Sequence, residues 1–256
     1  YYCLTRDGQW LRTKAFPLMK AVADFWVSRV TRNDDGSYSI CNVVGADEYA
    51  NGVDDNAFTN GAAIRALEYA CEAARICNEP VPEIWEEVGK GIRILRFKDG
   101  VTREHATYNG EMIKQADVNL LGYPLYFVGD AESQKKDMEY YVDKIDPQNG
   151  PAMSYSVFCV QYARMGDAKR AYEMFCRCYQ PNLRAPFGVL AETPTSDNPY
   201  FMTGAGGLLQ AVINGFCGLQ IMDGGVEQLS SVLPAHWKKV TVKGVGPEKK
   251  MYVRER

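Results

Sequence analysis

A run of helices closed by a small β tail is the fold this sequence predicts: mostly α, with strands only at its end. Three observations predict it. Apolar residues recur at helical spacing in one segment after another between residues 9 and 217. Loops rich in glycine, proline and aspartate separate those segments. After Gly218 the period changes to alternation, as in Val240-Thr241-Val242 and Met251-Tyr252-Val253, with two turn signals.

The first helix is expected over 9–30, where Trp10, Leu11, Phe16, Met19, Val22, Phe25 and Trp26 share helical spacing and Pro17 stands near one end. Residues 31–55, with Asn33-Asp34-Asp35-Gly36 and Gly45, read as a loop. Helices follow at about 56–78 and 82–96, the second with Ile84, Trp85, Val88, Ile92 and Leu95 on one face. A loop over 98–111 leads to a short apolar helix at about 112–121, and further helices are expected at 131–144, 152–164 and 167–179. The four prolines of 181–202 mark a long loop, and loops of that length inside a compact domain usually serve function. A last helix spans 203–217, and its three early glycines allow close packing. Helices of alternating length joined by long loops are consistent with a toroid of α-hairpins; a plain helical array fits the same pattern.

With 256 residues the chain is long enough for a sizeable core in one or two domains, and 46% apolar with 24% charged residues is the ordinary globular balance. A net charge of −3 with no basic stripe argues against a nucleic-acid partner. No apolar run reaches the length of a membrane span. The chain opens Tyr1-Tyr2-Cys3 with no Met and no visible signal peptide, which reads as a processed product or a fragment. The eight cysteines include no CxxC pair, and His105 and His236 lie far from them in sequence, so no metal site is expected. The cysteines read as free thiols among apolar neighbours, and the compartment stays open.

Three segments gather charged groups and aromatics. In 43–60, "VVGADEYANGVDDNAFTN", four carboxylates share nine positions with Tyr49 near at hand and Phe58 just beyond. Asp54, Asp55 and Asn56 can cap the helix that follows, since short acceptors satisfy its free amides; Glu48 sits too early for that. In 108–124, "YNGEMIKQADVNLLGYP", Lys114, Gln115 and Asp117 interrupt an apolar stretch where an unpaired charge is costly. Lys114 can pair with Asp117 or Glu111, or serve a ligand. In 185–204, "APFGVLAETPTSDNPYFMTG", a lone Glu192 follows an apolar run, near Tyr200 and Phe201. Spacing alone supports a carboxylate site in a helical protein and leaves Glu192 either solvated or functional.

These motifs go further together. "DEY…VDDNAFTN", "KQADV", "GPAMSYSVF" and "YFMTGAGGLLQAVINGFCGLQI", in this order, resemble glycoside hydrolase family 65 over nearly the whole chain. The resemblance implies an (α/α)6 barrel followed by a small β domain. Here 1–218 would be the C-terminal two-thirds of the barrel and 219–256 the β segment. The family's N-terminal β-sandwich and first barrel helices have no counterpart, so the isolated chain would be an incomplete enzyme. The missing N-terminal part, or a second copy in a homo-oligomer, is then the expected partner.

Carried over by motif, Glu48 would be the general acid, Lys114 and Gln115 would hold hydroxyls of the terminal glucose, and Tyr49 and Phe58 would form wall or platform. The family's phosphorylases place a His-Ser-Ser-like anion cradle where this chain reads Gly150-Pro151-Ala152-Met153-Ser154-Tyr155-Ser156, without histidine or any basic residue. Its hydrolases use a second glutamate as base, and "PFGVLAET" resembles that segment, which makes Glu192 the base. The expected function is inverting hydrolysis of a short α-glucoside, kojibiose-like and α-1,2-linked, with no cofactor. The alternatives are a disaccharide phosphorylase of the same family and a sugar-binding fragment without turnover. Where family members often carry His after the motif tyrosine, this chain has Ala50, a difference on the aglycone side.

Overall fold

In the computed structural model, which describes residues 1–127 and 130–256, helices dominate up to residue 216 and two β-hairpins follow. Helix α1 is Phe16–Arg29, entered through Gly8–Trp10 and the wider π-wound turn Leu11–Ala15. It lies against α2, Ala57–Cys77, which in turn packs on α3, Glu83–Gly91. Asn56 caps α2 with Oδ1 accepting from Thr59 N at 2.8 Å, and Asn78 ends it in the left-handed conformation. Around these three helices Ala23, Ile40, Ile64, Leu67, Trp85 and Val88 form one core. Burial of a side chain the size of Leu67 contributes about 1.5–3 kcal/mol.

A second core surrounds α4, Ala131–Tyr141, α5, Met153–Arg164, and α6, Ala168–Arg177. It holds Ile113, Leu121, Met138, Tyr141, Phe158 and Phe216. Helix α7, Met202–Gln210, continues as the π-wound turns Ala211–Phe216 and lies along α5. Glycine is required for that approach: a Cβ on Gly207 would stand 2.6 Å from Ser156 Oγ. Ile94 and Phe127 pack against both cores and join them.

The strands are short and all antiparallel. Thr31–Arg32 (β1) pairs with Tyr38–Ser39 (β2) inside the expected loop 31–55, and Leu183–Arg184 (β3) pairs with Val189–Leu190 (β4) inside the expected loop 181–202. The tail holds Leu219–Met222 (β5) with Gly225–Gln228 (β6), and Lys239–Val245 (β7) with Lys250–Glu255 (β8). All eight cysteines are free thiols.

Two expected helices differ. The helix expected to reach 96 stops at Gly91, because Gly89 and Gly91 weaken it and the Tyr38 ring occupies the space a Cβ on Gly91 would need. The helix expected at 112–121 shrinks to one 3-10 turn, Val118–Leu121. The amides before that turn are captured by distant partners: Ile113 N by Lys144 O at 2.9 Å, Lys114 N by Asp47 Oδ1 at 2.7 Å and Ala116 N by Ser154 Oγ at 3.1 Å. These three are lost to the i−4 carbonyls a helix needs. Lys114 and Gln115 therefore stand on an extended loop, not on an apolar helix.

Two helices carry apolar side chains into the open. Leu18 on α1 is 66% exposed and Met202 on α7 is 76% exposed, with Phe25 and Leu209 beside them on the same helices.

Candidate active site

The segment that opens α2 folds back as a tight loop, and its four carboxylates have four different tasks. Asp54 accepts from Asn42 N at 2.8 Å. Asp55 is buried and pairs with the Arg93 guanidinium, with Ser39 Oγ at 3.1 Å. Asp47 is buried and accepts from Lys114 N at 2.7 Å and Tyr49 N at 3.3 Å. Glu48, like Asp54, is exposed, with its side chain 58% accessible, but it reaches out of its own loop. The expectation that Asp54, Asp55 and Asn56 cap α2 thus holds for Asn56 only. Gly45 makes the fold-back feasible, since a Cβ there would sit 2.3 Å from Asn56 Nδ2.

Asp117 ties this loop to the one carrying Lys114. Fully buried, it accepts from Ala46 N at 2.8 Å, Asp47 N at 3.3 Å, Phe58 N at 3.2 Å and Asn56 Nδ2 at 2.9 Å. Gln115 Nε2 donates to the Ala46 carbonyl. Segments 46–49 and 114–117 therefore hold each other through both side chains and backbone. Burial pushes the Asp117 carboxyl up to about 6 against the lowering effect of its four donors. Burial likewise raises Asp47, and it raises Glu104, 0% exposed beside the charges of Asp117 and Asp47, to about 10.

Glu192 arrives from far along the chain. It leaves β4 next to buried Ala191, and its carbonyl accepts from Ala152 N at 3.1 Å and Asn182 Nδ2 at 3.0 Å. Arg184 holds the loop that follows by donating to the carbonyls of Thr193, Pro194 and Ser196. Glu192 Oε1 then lies 3.9 Å from Lys114 Nζ, and Glu48 Oε2 is in direct contact with the same nitrogen. One ammonium thus bridges two carboxylates carried by remote segments, and contact with Glu48 raises the Lys114 pKa. Of the partners expected for Lys114 within its own segment, neither Asp117 nor Glu111 is used.

Tyr49 is half-exposed beside this cluster, and its hydroxyl donates to Asp146 Oδ2 at 2.8 Å. Asp146 is held well below the usual carboxylate range, chiefly by the Asn149 and Gln148 amides and the Asn149 side chain. Phe58 is partly buried at the first turn of α2, and Ala50 is buried. Ser154 and Ser156, in the segment compared with an anion cradle, are buried and engaged: Ser154 Oγ accepts from Ala116 N, and Ser156 Oγ donates to Met153 O at 2.6 Å.

The cluster lies on an open face. Two cavities adjoin it, one of about 90 Å³ lined by Ala46, Gln115, Leu120, Met153 and Ser154 among others, and one of about 270 Å³ lined by Asp47, Tyr49, His105 and Met112 among others, against roughly 300–1,000 Å³ for small-molecule sites. A cavity of about 460 Å³ lies between α2 and α3, away from both carboxylates.

Sequence reasoning brought forward Glu48, Tyr49, Lys114, Gln115 and Glu192, and the fold gathers the two glutamates on Lys114. It passed over Asp47 and Glu104 as individual groups. A clue for Glu104 was an acid among Val101, Tyr108 and Ile113, but burial of that acid follows from long-range packing alone.

Residues 1–97 match the glycosyl hydrolase family 65 central catalytic domain. The chain is 50% identical over 253 residues to a kojibiose hydrolase of Mucilaginibacter mallensis, covering 99% of this chain and 37% of that protein. It is 38% identical over 234 residues to a protein-glucosylgalactosylhydroxylysine glucosidase of Dictyostelium discoideum, covering 89% of this chain and 32% of that one. A solved human-microbiome protein, provisionally assigned as a kojibiose phosphorylase, superimposes with a TM-score of 0.74 at 17% identity, over 100% of this chain and 40% of its own; that likeness shows the fold alone. The chain spans little more than a third of the length of the kojibiose hydrolases it matches, and less of the Dictyostelium glucosidase.

Proposed function

This chain belongs to glycosyl hydrolase family 65, and from that premise we propose that it forms part of an enzyme hydrolysing a short α-glucoside with inversion, α-1,2-linked kojibiose preferred. The observation that carries the reading is the meeting of Glu48 and Glu192 on Lys114 Nζ. An inverting glycosidase needs an acid and a base on opposite sides of the bond, roughly 6.5–9.5 Å apart, with room for one water; the oxygens that share Lys114 stand closer than that and part when Lys114 turns to a sugar. Glu48 protonates the glycosidic oxygen. Glu192 takes a proton from the water that attacks the anomeric carbon from the other face, and β-glucose leaves. Lys114 has three donors and Gln115 an amide, and they hold hydroxyls of the terminal glucose. The Lys114–Glu48 contact has to open before Glu48 meets the glycosidic oxygen, so a bound sugar takes Lys114 over. Tyr49, half-exposed and steadied by Asp146, forms part of the sugar-binding wall.

Hydrolysis is favoured over phosphorolysis because Ser154 and Ser156 are buried and already engaged, and no cation stands in 150–156. The helical part, 1–218, is read as the C-terminal two-thirds of an (α/α)6 barrel and 219–256 as its β segment; the helix pairs α1–α2 and α5–α6 support this. The missing barrel wall, from the rest of the enzyme, would turn the open face into a pocket and cover Leu18 and Met202. Association of copies through those faces is the alternative partner.

The test is kojibiose with and without inorganic phosphate, followed by NMR, using protein expressed from its complete coding sequence. The expected product is β-glucose in both cases. β-Glucose-1-phosphate in preference to glucose overturns the hydrolase reading. Binding of kojibiose with no turnover leaves the sugar-binding alternative.

A further inference from the structure

Glu104 touches no substrate, yet it lies at the join of the two loops that carry Glu48 and Lys114. Its side chain is wholly buried, and no N–H or hydroxyl of the described residues reaches either carboxyl oxygen. Its backbone is fixed independently: the Glu104 carbonyl accepts from Ala57 N at 2.7 Å at the start of α2. The titratable groups facing it are the carboxylates of Asp47, Asp117 and Glu111 and the phenols of Tyr108 and Tyr141. Its basic neighbours turn elsewhere, Arg103 to Tyr108 O and Asn109, and His105, which burial biases toward the neutral ring, to Thr107. An ionised, unpaired carboxylate in such a place would be strongly unfavourable, and two carboxylates in contact do not both ionise.

We propose that Glu104 is a positioning residue: a buried carboxylic acid that donates its proton to the Asp47 carboxylate and so fixes the loops bearing Glu48 and Lys114. The division of labour follows from the partners. Asp47 accepts the amides of Lys114 and Tyr49 on Oδ1, bonds that are stronger to the ionised form and favour the charge on Asp47. Asp117 accepts four donors, which favour its charge likewise. Glu104 has no donor to satisfy, so it is the member that keeps the proton. The proton bridge turns a repulsive contact into a hydrogen bond. It also sets the Lys114 backbone, hence the reach of the ammonium that Glu48 and Glu192 share. The high proton affinity that burial and its two acidic neighbours give Glu104 agrees with this.

The inference rests on the proposed reaction only for its effect on turnover, so the experiment has two separate readouts. Infrared difference spectra of the protein expressed from its complete coding sequence, wild type against Glu104→Gln, are recorded at neutral pH. A carboxylic-acid C=O band present in the wild type and lost in the variant is expected; its absence from the wild type overturns the proposal whatever the enzyme does. Kojibiose kinetics form the second readout. Glu104→Gln keeps an N–H donor toward Asp47 and is expected within about threefold of wild-type kcat/KM, whereas Glu104→Ala loses on the order of a hundredfold, the scale of a misplaced reacting group. A Gln variant as impaired as the Ala variant overturns the proposal. If Glu104→Ala does not fold, the Gln kinetics and the band decide alone.

Discussion

The two carboxylates that meet on Lys114 are mounted in opposite ways. The Glu48 loop is held from inside by buried charged groups: Asp117 with four donors, Asp47 with two and Asp55 with Arg93. The Glu192 loop is held through its backbone, by the Arg184 guanidinium and the buried Asn182 amide on carbonyls, beside a short hairpin whose tip, Phe187, is 87% exposed. Desolvated networks become rigid when every acceptor is filled, and removal of one member leaves the rest unpaired at high cost. A partly buried arginine on neutral carbonyls leaves no buried charge behind and can be lost more cheaply. The loop of the proposed acid, Glu48, is therefore built as scaffold and that of the proposed base, Glu192, as an adjustable arm.

The largest expected effect ignores that contrast and tests the pair itself. Glu48→Gln and Glu192→Gln should each lower kcat on kojibiose by roughly 10²–10⁴, the range for a lost general acid or base. The roles then separate. An activated glucosyl donor, whose leaving group needs no proton, should restore turnover to Glu48→Gln and not to Glu192→Gln. Equal rescue of both would break the assignment.

The scaffold side is next. Asp117→Ala strands three backbone amides and one side-chain amide in the interior, and should cost about 3 kcal/mol or more in urea unfolding. A loss under about 1 kcal/mol would show that the loop repairs itself and that the contrast is false.

The sign of the pH dependence sharpens the same point. Glu104 titrates higher in the folded chain than its ordinary 4.5, at about 10, so above pH 4.5 the native state holds a proton that the unfolded chain has released. Stability from this group then falls as pH rises through that window, by up to about 1.4 kcal/mol per pH unit. Asp146, depressed by its donors, acts oppositely and loses its contribution only as pH falls below the usual carboxylate range. Urea midpoints should decline from mildly acidic to alkaline pH, and the decline should flatten in Glu104→Gln. A midpoint that rises across the same range would contradict the buried acid.

The smallest effect belongs to the arm. Arg184→Ala should lower global stability by less than about 1 kcal/mol, yet reduce kcat/KM by about tenfold as Glu192 loses its bearing. Unfolding as severe as that of Asp117→Ala would place both loops in one class.

Periodicity made most of the helices legible, because α2, α5 and α6 draw their stability from neighbours that their own apolar faces anticipate. The motif around Glu48 was legible too, as was the turn to strands after Gly218. The loop at Lys114 was not. Its amides are taken by Lys144, Asp47 and Ser154, residues 30 or more positions away, and a local pattern carries no trace of such partners. The protonation of Glu104 was illegible for a related reason. In sequence it is one acid among 32 Asp and Glu residues. Only packing sets it beside Asp47 and Asp117 with no donor of its own, and that environment decides its charge. Residue types and their period determined which segments coil and which acids stand near a site; long-range contacts decided which amides are free, which charges survive burial, and so which carboxylates meet on one ammonium.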